Sequence, residues 1–177
     1  MIQIESISYL RTSPEKVEKR PGTYCWWFEE EKTRYLLTTF QRLIDYKKLN
    51  SQTINGKQYF SLYFGISKDL NKRIKWHVLQ HHSPLIVKYG TLSTLRQTLC
   101  ALLGINMTCG EDDVNRLINT CYWEWNYTDS LLDAKIIEQN KLSYNTEKYY
   151  PLNIQNNKSL PKDIILKLKA LRKLYRK

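Results

Sequence analysis

Between Tyr59 and His82 the chain reads YFSLYFGISKDLNKRIKWHVLQHH, and its hydrophobic period changes partway along. Up to Ile66 the period is two. Phe60, Leu62, Phe64 and Ile66 fall on one face and Tyr59, Ser61, Tyr63 and Gly65 on the other, as in a half-buried strand. That alternation turns Tyr63 away from the main apolar face. After Gly65, Ser67 suits the N-cap of a helix with Asp69 in its first turn, and Leu70, Ile74 and Val78 then recur every four residues. Arg73 and His77 project from one side of this helix, one turn apart. A strand, a glycine and a helix thereby gather a phenol, a guanidinium and an imidazole, groups that bind phosphate oxygens and move protons near neutral pH. Taken alone, such a trio is more often a solvated edge than a site. The rest of the chain decides.

The 28 Lys and Arg against 17 Asp and Glu leave a net charge of +11 in 177 residues, which points to a polyanionic partner. Nucleic acid and an anionic membrane surface both qualify. No apolar run approaches the roughly 18 residues of a membrane span, and the start MIQIESISYL has no signal-peptide pattern, so a cytoplasmic protein without a membrane partner is expected. Cys25, Cys100, Cys109 and Cys121 show no C-x-x-C pairing and no histidine at zinc-ligand spacing. They read as reduced, partly buried thiols.

Residues 1–20 read as a peripheral strand or arm. Pro21-Gly22 launches TYCWWF, an aromatic run suited to a buried strand, with Tyr24, Trp26 and Phe28 on one face. Residues 29–50 turn helical, because Leu36, Leu37, Phe40, Leu43 and Ile44 follow a helical pattern. Asn55-Gly56 signals a hairpin into the strand of Tyr63. Past Ser83-Pro84, a helix starts near Thr91 or Ser93 and stops at Gly104; EDDVNRLINT is a second short helix, and CYWEWNYT alternates as a strand. The pattern is mixed α and β throughout.

Asp129 suits the cap of the next helix, SLLDAKIIEQNKL, in which Leu131, Ala134, Glu138 and Leu142 share one stripe. Glu138 is thus an acid on an apolar face, and a half-buried carboxylate costs free energy unless a cation accompanies it. A salt bridge to a neighbouring Lys or Arg would serve, and so would a divalent metal. Fifteen residues later, YYPLNIQNN places Asn153 in a polar loop. The tail SLPKDIILKLKALRKLYRK, with Ser159 as cap, buries Ile164, Ile165, Leu168, Leu171 and Tyr175. Lys162, Lys167, Lys169, Arg172, Lys173, Arg176 and Lys177 occupy much of the rest. Such a helix suits phosphate-backbone contacts, and Lys72 and Lys75 on the Arg73 helix extend the basic set.

Gly22-Thr23-Tyr24, Tyr63-Phe64-Gly65, Arg73, His77, Glu138 and Asn153 stand in the order found in the GIY-YIG nuclease family, which this chain resembles over roughly residues 21–155. Each tripeptide departs at its middle position, and the segment between the two tyrosines is long for the family. The resemblance implies a small central mixed or antiparallel sheet flanked by helices (α+β), with a nuclease domain at 21–157. A helical insertion at about 30–50 and a basic C-terminal helix at 158–177 complete it. It also implies hydrolysis of nucleic-acid phosphodiesters with one Mg²⁺ or Mn²⁺ held by Glu138. Tyr24 would be the general base, its pKa depressed by Arg73, with Tyr63 positioning water or phosphate; which tyrosine is the base stays open. Arg73 would clamp the phosphate, His77 support it or relay the proton, and Asn153 orient the site.

The function expected is a metal-dependent endonuclease on double-stranded DNA, restriction- or defence-like, working as a homodimer on a symmetric site. The alternatives are a non-catalytic nucleic-acid-binding module of the same fold and an RNA-directed nuclease. An acid facing a phosphate makes sense only with a cation between them, which favours the enzyme.

Overall fold

In a computed structural model the structure describes residues 1–144 and 147–176; Lys177, counted above on the tail's basic face, lies outside them. Strand β1 (Gln3–Ser6) leads into α1 (Ile7–Thr12). Strand β2 (Gly22–Glu29) is followed by α2 (Glu30–Leu37), then by the hairpin of β3 (Asn50–Ile54) and β4 (Lys57–Ser67). Next come α3 (Leu70–Leu79), α4 (Pro84–Lys88), α5 (Thr94–Leu103) and α6 (Glu111–Ile118). Strand β5 (Tyr122–Tyr127), α7 (Leu131–Gln139) with a π turn over Asn140–Tyr144, and α8 (Lys162–Leu174) close the order. The five strands form one antiparallel sheet in the order β1-β5-β2-β4-β3. The expected mixed α and β fold with a small central sheet is what the chain adopts.

Strand β2 lies at the centre, and its alternation divides the interior. Tyr24, Trp26 and Phe28 enter the larger core with α3 and α5, while Cys25 and Trp27 enter a smaller one beneath α7. Strand β4 does not keep the single alternation its sequence suggests. The register slips between Trp26, opposite Tyr63, and Trp27, opposite Ser61, leaving Leu62 as an extra residue. This bulge reverses the phase of the strand. Phe60 and Leu62 belong to the larger core, but Phe64 and Ile66 pack on the opposite side with Tyr59, and Tyr63 joins Tyr24 on the larger core's face. A pattern of period two cannot register an inserted residue, which is why Tyr63 was expected on the face opposite Leu62.

Local chemistry moves several boundaries. Asp69, not Ser67, caps α3 by accepting from the Lys72 amide, and Ser67 Oγ accepts from the Asp69 amide. The helix expected over 29–50 stops at Leu37, where Thr38 turns its hydroxyl back to the Arg34 carbonyl and short 3-10 turns follow. Residues 50–54 are strand. Ser130, not Asp129, caps α7, in a reciprocal box with Asp133. Helix α8 begins after Pro161 without a side-chain cap, and Ser159 bonds Asn157 instead. At the hairpin, Asn55 and Gly56 both take positive φ, 48° and 78°, the pair of conformations that a two-residue turn needs.

Candidate active site

The site forms where the sheet edge changes hands. Strand β3 pairs with β4 only as far as Asn50 opposite Ser61. Beyond that point the loop after Pro151 takes over. The Leu152 amide donates to the Leu62 carbonyl, freed by the bulge, and the Asn153 side chain accepts from the Phe64 amide at 2.8 Å and donates to its carbonyl at 2.7 Å. Asn153 therefore imitates a strand partner. With no full strand on this edge, side chains from both faces of the sheet reach one cleft. Its volume is about 260 Å³, and Tyr24, Tyr63, Arg73, Glu138 and Asn153 all line it.

Two glycines hold the geometry. A Cβ on Gly65 would lie 2.5 Å from the Tyr24 hydroxyl and ring, so the phenol occupies the space a side chain would need. A Cβ on Gly22 would meet the Asn126 carbonyl oxygen at 2.3 Å.

His77 does not face the cleft. It is 1% exposed and sits behind Tyr24, with Nε2 3.0 Å from the Tyr24 hydroxyl and Nδ1 2.9 Å from Ser93 Oγ. Burial, reinforced by Arg73 and Arg96, pushes its pKa well below the usual 6.5, so the imidazole is neutral. One ring nitrogen must then accept. Ser93 is itself fixed as the cap of α5, accepting from the Arg96 amide, while Arg96 Nε donates to the His77 carbonyl at 2.7 Å.

Tyr24 is 3% exposed. Burial, with the neighbouring Tyr63 phenol, raises its pKa well above 10, and the opposing pull of Arg73 is the weaker influence. The expectation that Arg73 depresses this phenol is thus reversed: a single cation does not offset the desolvation of a buried phenolate. Tyr63 is half-buried, and its hydroxyl lies 3.1 Å from Thr94 Oγ1. Arg73 stacks over the Trp76 indole at 4.7 Å.

Glu138 is half-buried, its pKa raised by burial against the opposing Lys135 one turn earlier, and it makes no hydrogen bond or ion pair with any described residue. The salt bridge left open by the sequence is absent among the described residues. No group of three His, Cys, Asp or Glu suited to a metal occurs among them either. A lone hard carboxylate in a cleft of about 260 Å³ nevertheless fits Mg²⁺ or Mn²⁺, which keep several waters and take further oxygens from a phosphate.

Of the basic residues expected to meet a polyanion, Lys169, Arg172 and Lys173 line a groove along α8 of about 700 Å³, with Gln97 and Arg176. The groove and the cleft share Ile154, Gln155, Asn156 and Arg172. Arg172 is held by Gln97 Oε1 at 2.5 Å, and Gln97 is oriented by donating to the Leu92 carbonyl. Lys72, exposed beside Arg73, lines neither cavity, and nor do Lys75 and Lys162. Sequence reasoning missed Ser93, Thr94, Trp76 and Gln97 as contributors. Only Ser93 carried a signal, as a helix cap.

A family model described as the GIY-YIG catalytic domain matches residues 22–174. The chain belongs to the GIY-YIG family, a family of nucleases. No curated protein and no solved structure matches it. No helix among the described residues is long and apolar enough to cross a membrane.

Proposed function

We propose that this chain is a divalent-metal-dependent endonuclease that hydrolyses phosphodiester bonds in DNA, in a restriction- or defence-like role. The observation that carries the reading is the meeting of an unpartnered carboxylate, Glu138, with a guanidinium and two phenols in one cleft of a strongly basic protein. Mg²⁺ or Mn²⁺ would be held by Glu138, and when bound would withdraw charge from the scissile phosphate and stabilise the leaving oxygen.

The protein's own groups divide the remaining work. Arg73 clamps a phosphate oxygen, with Trp76 behind its guanidinium fixing the orientation. The neutral His77 accepts the Tyr24 hydroxyl proton, which leaves the phenol's lone pairs free to orient an attacking water and to receive its proton. Tyr24 rather than Tyr63 is the base in this reading, because Tyr24 has an imidazole behind it that can take up a proton, whereas Tyr63 meets only the Thr94 hydroxyl. Tyr63, tethered to Thr94, positions the phosphate. The groove of Lys169, Arg172 and Lys173 continues from the cleft and suits the substrate backbone. The test is cleavage of mixed duplex DNA with and without Mg²⁺, for the wild type and Glu138→Ala. Metal-dependent cutting lost in the variant supports the proposal, and binding without cutting under every divalent cation overturns it.

A further inference from the structure

A further cavity of about 570 Å³ adjoins the cleft, and no residue of α8 lines it. The two share Ile66, Arg73 and Trp76, so the guanidinium stacked on its indole is their common wall. The size falls within the range of about 300–1,000 Å³ typical of small-ligand pockets. Ile66, Trp76 and Leu131 give it an apolar lining, and Lys68, Lys72 and Lys135 stand around it. Its single acid, Asp69, is engaged as the cap of α3. The groove along α8 differs in kind: four cations, three amides and Ile154 line it, with no aromatic side chain.

A planar apolar group attached to an anion satisfies both features of the further cavity, and a nucleotide is such a group. The indole and guanidinium can stack on a base, while the lysines meet its flanking phosphates. A base inside a duplex hides both its faces in the stack, so only an unpaired or extruded nucleotide can enter. We infer that the cavity beside Trp76 receives the base of an unpaired nucleotide next to the scissile phosphate, giving the enzyme a preference for DNA with unpaired nucleotides at the cut. This rests on the nucleolytic reading of the adjoining cleft.

Trp76 offers a direct reporter. Trp26, Trp27, Trp123 and Trp125 are all buried, at 7% exposure or less, and Trp76 is the partly exposed one among the five. The experiment compares a short blunt DNA duplex with the same duplex carrying a short unpaired tail, in EDTA, by anisotropy of a labelled probe and by tryptophan emission. The tailed probe should bind about tenfold more tightly, the scale of one base stacked on an aromatic side chain. It should also quench the emission, and Trp76→Phe should abolish the quench. Trp76→Ala should lose the tail's advantage, read as the ratio of tailed to blunt affinity within that variant, whatever it does to the blunt duplex through Arg73. Leu131→Trp, which adds bulk to the cavity from a residue outside the shared wall, should lose the tail's advantage while keeping affinity for the blunt duplex, and serves if Trp76→Ala does not fold. Equal binding of the two probes by the wild type, or a tail advantage retained in Leu131→Trp, overturns the inference. A parallel cleavage assay separates the two readings. Tail preference through Trp76 without cutting leaves the cavity's role standing and removes the nuclease, and cutting without tail preference does the reverse.

Discussion

The Tyr24 hydroxyl lies 3.0 Å from Nε2 of His77, and both side chains are buried. The phenol is thus kept protonated by its surroundings and yet has one neutral acceptor to which the proton can pass. Tyr24→Phe removes the hydroxyl and little else. It should lower the cleavage rate by about 10²- to 10⁴-fold, the usual worth of a general base, while lowering stability by about 1–3 kcal/mol, because the buried His77 Nε2 loses its partner. Single-turnover kinetics and thermal unfolding together check this. An active Tyr24→Phe would move the base to Tyr63.

Gly65 is the counterpart of that phenol. Because a Cβ there would sit 2.5 Å from the Tyr24 hydroxyl, Gly65→Ala must displace the ring rather than merely crowd it. We expect destabilisation of about 1–3 kcal/mol from overpacking and at least a tenfold loss of cleavage with the secondary structure intact. Circular dichroism, denaturant titration and the cleavage assay measure the three. Full activity in Gly65→Ala would show that the phenol's position is not critical.

How far the sequence alone reaches follows from the same residues. The ten-residue step from Tyr63 to Arg73 and the four-residue step to His77 are local, so the junction of strand and helix could be read directly. Ala134, Leu142 and Glu138 could be placed on one stripe for the same reason, and Ala134 and Leu142 are indeed buried. The bulge at Leu62 was not legible, because the extra residue is defined only by the partner strand's register. Nor was the burial of His77, which depends on Ser93 and Arg96 arriving from another helix. The sign of the shift at Tyr24 failed for a related reason: desolvation is a property of the assembled core, whereas the order of the motifs suggested only Arg73 as its neighbour.

Glu138 is burdened by its burial, and a cation bound there should relieve it. Mg²⁺ should raise the melting temperature of the wild type in a saturable way, since a ligand binding only the folded state stabilises it by mass action. Glu138→Gln should abolish that response and cleavage together. In EDTA the variant should melt no lower than the wild type, because an amide avoids the desolvation of the half-buried carboxylate. Differential scanning fluorimetry across a magnesium titration reads both effects. An unchanged magnesium response in Glu138→Gln would place the metal elsewhere.

Acid should destabilise this protein through its histidines. Burial lowers the pKa of His77 well below 6.5, and burial with the adjacent Arg96 lowers that of His82. The unfolded chain therefore binds more protons than the folded one as pH falls below about 6.5. The stability tied to the neutral imidazoles is complete above that pH and is lost as pH drops toward each folded pKa, by at most about 1.4 kcal/mol per pH unit for each histidine. His82 is specifically opposed to a second proton. Arg96 Nη1 lies 3.0 Å from its Nε2, where that proton would sit, and the bond of its Nδ1 to the Met107 carbonyl at 2.8 Å and the nearby Glu111 only partly compensate. Glu138 works in the opposite direction, because its raised pKa favours the folded state as it protonates. Denaturant unfolding between pH 7 and pH 5 should thus show a falling midpoint in the wild type, a shallower fall in His82→Gln and a steeper one in Glu138→Gln. A midpoint that stays level across this range in all three proteins would mean that neither imidazole is held neutral by the fold.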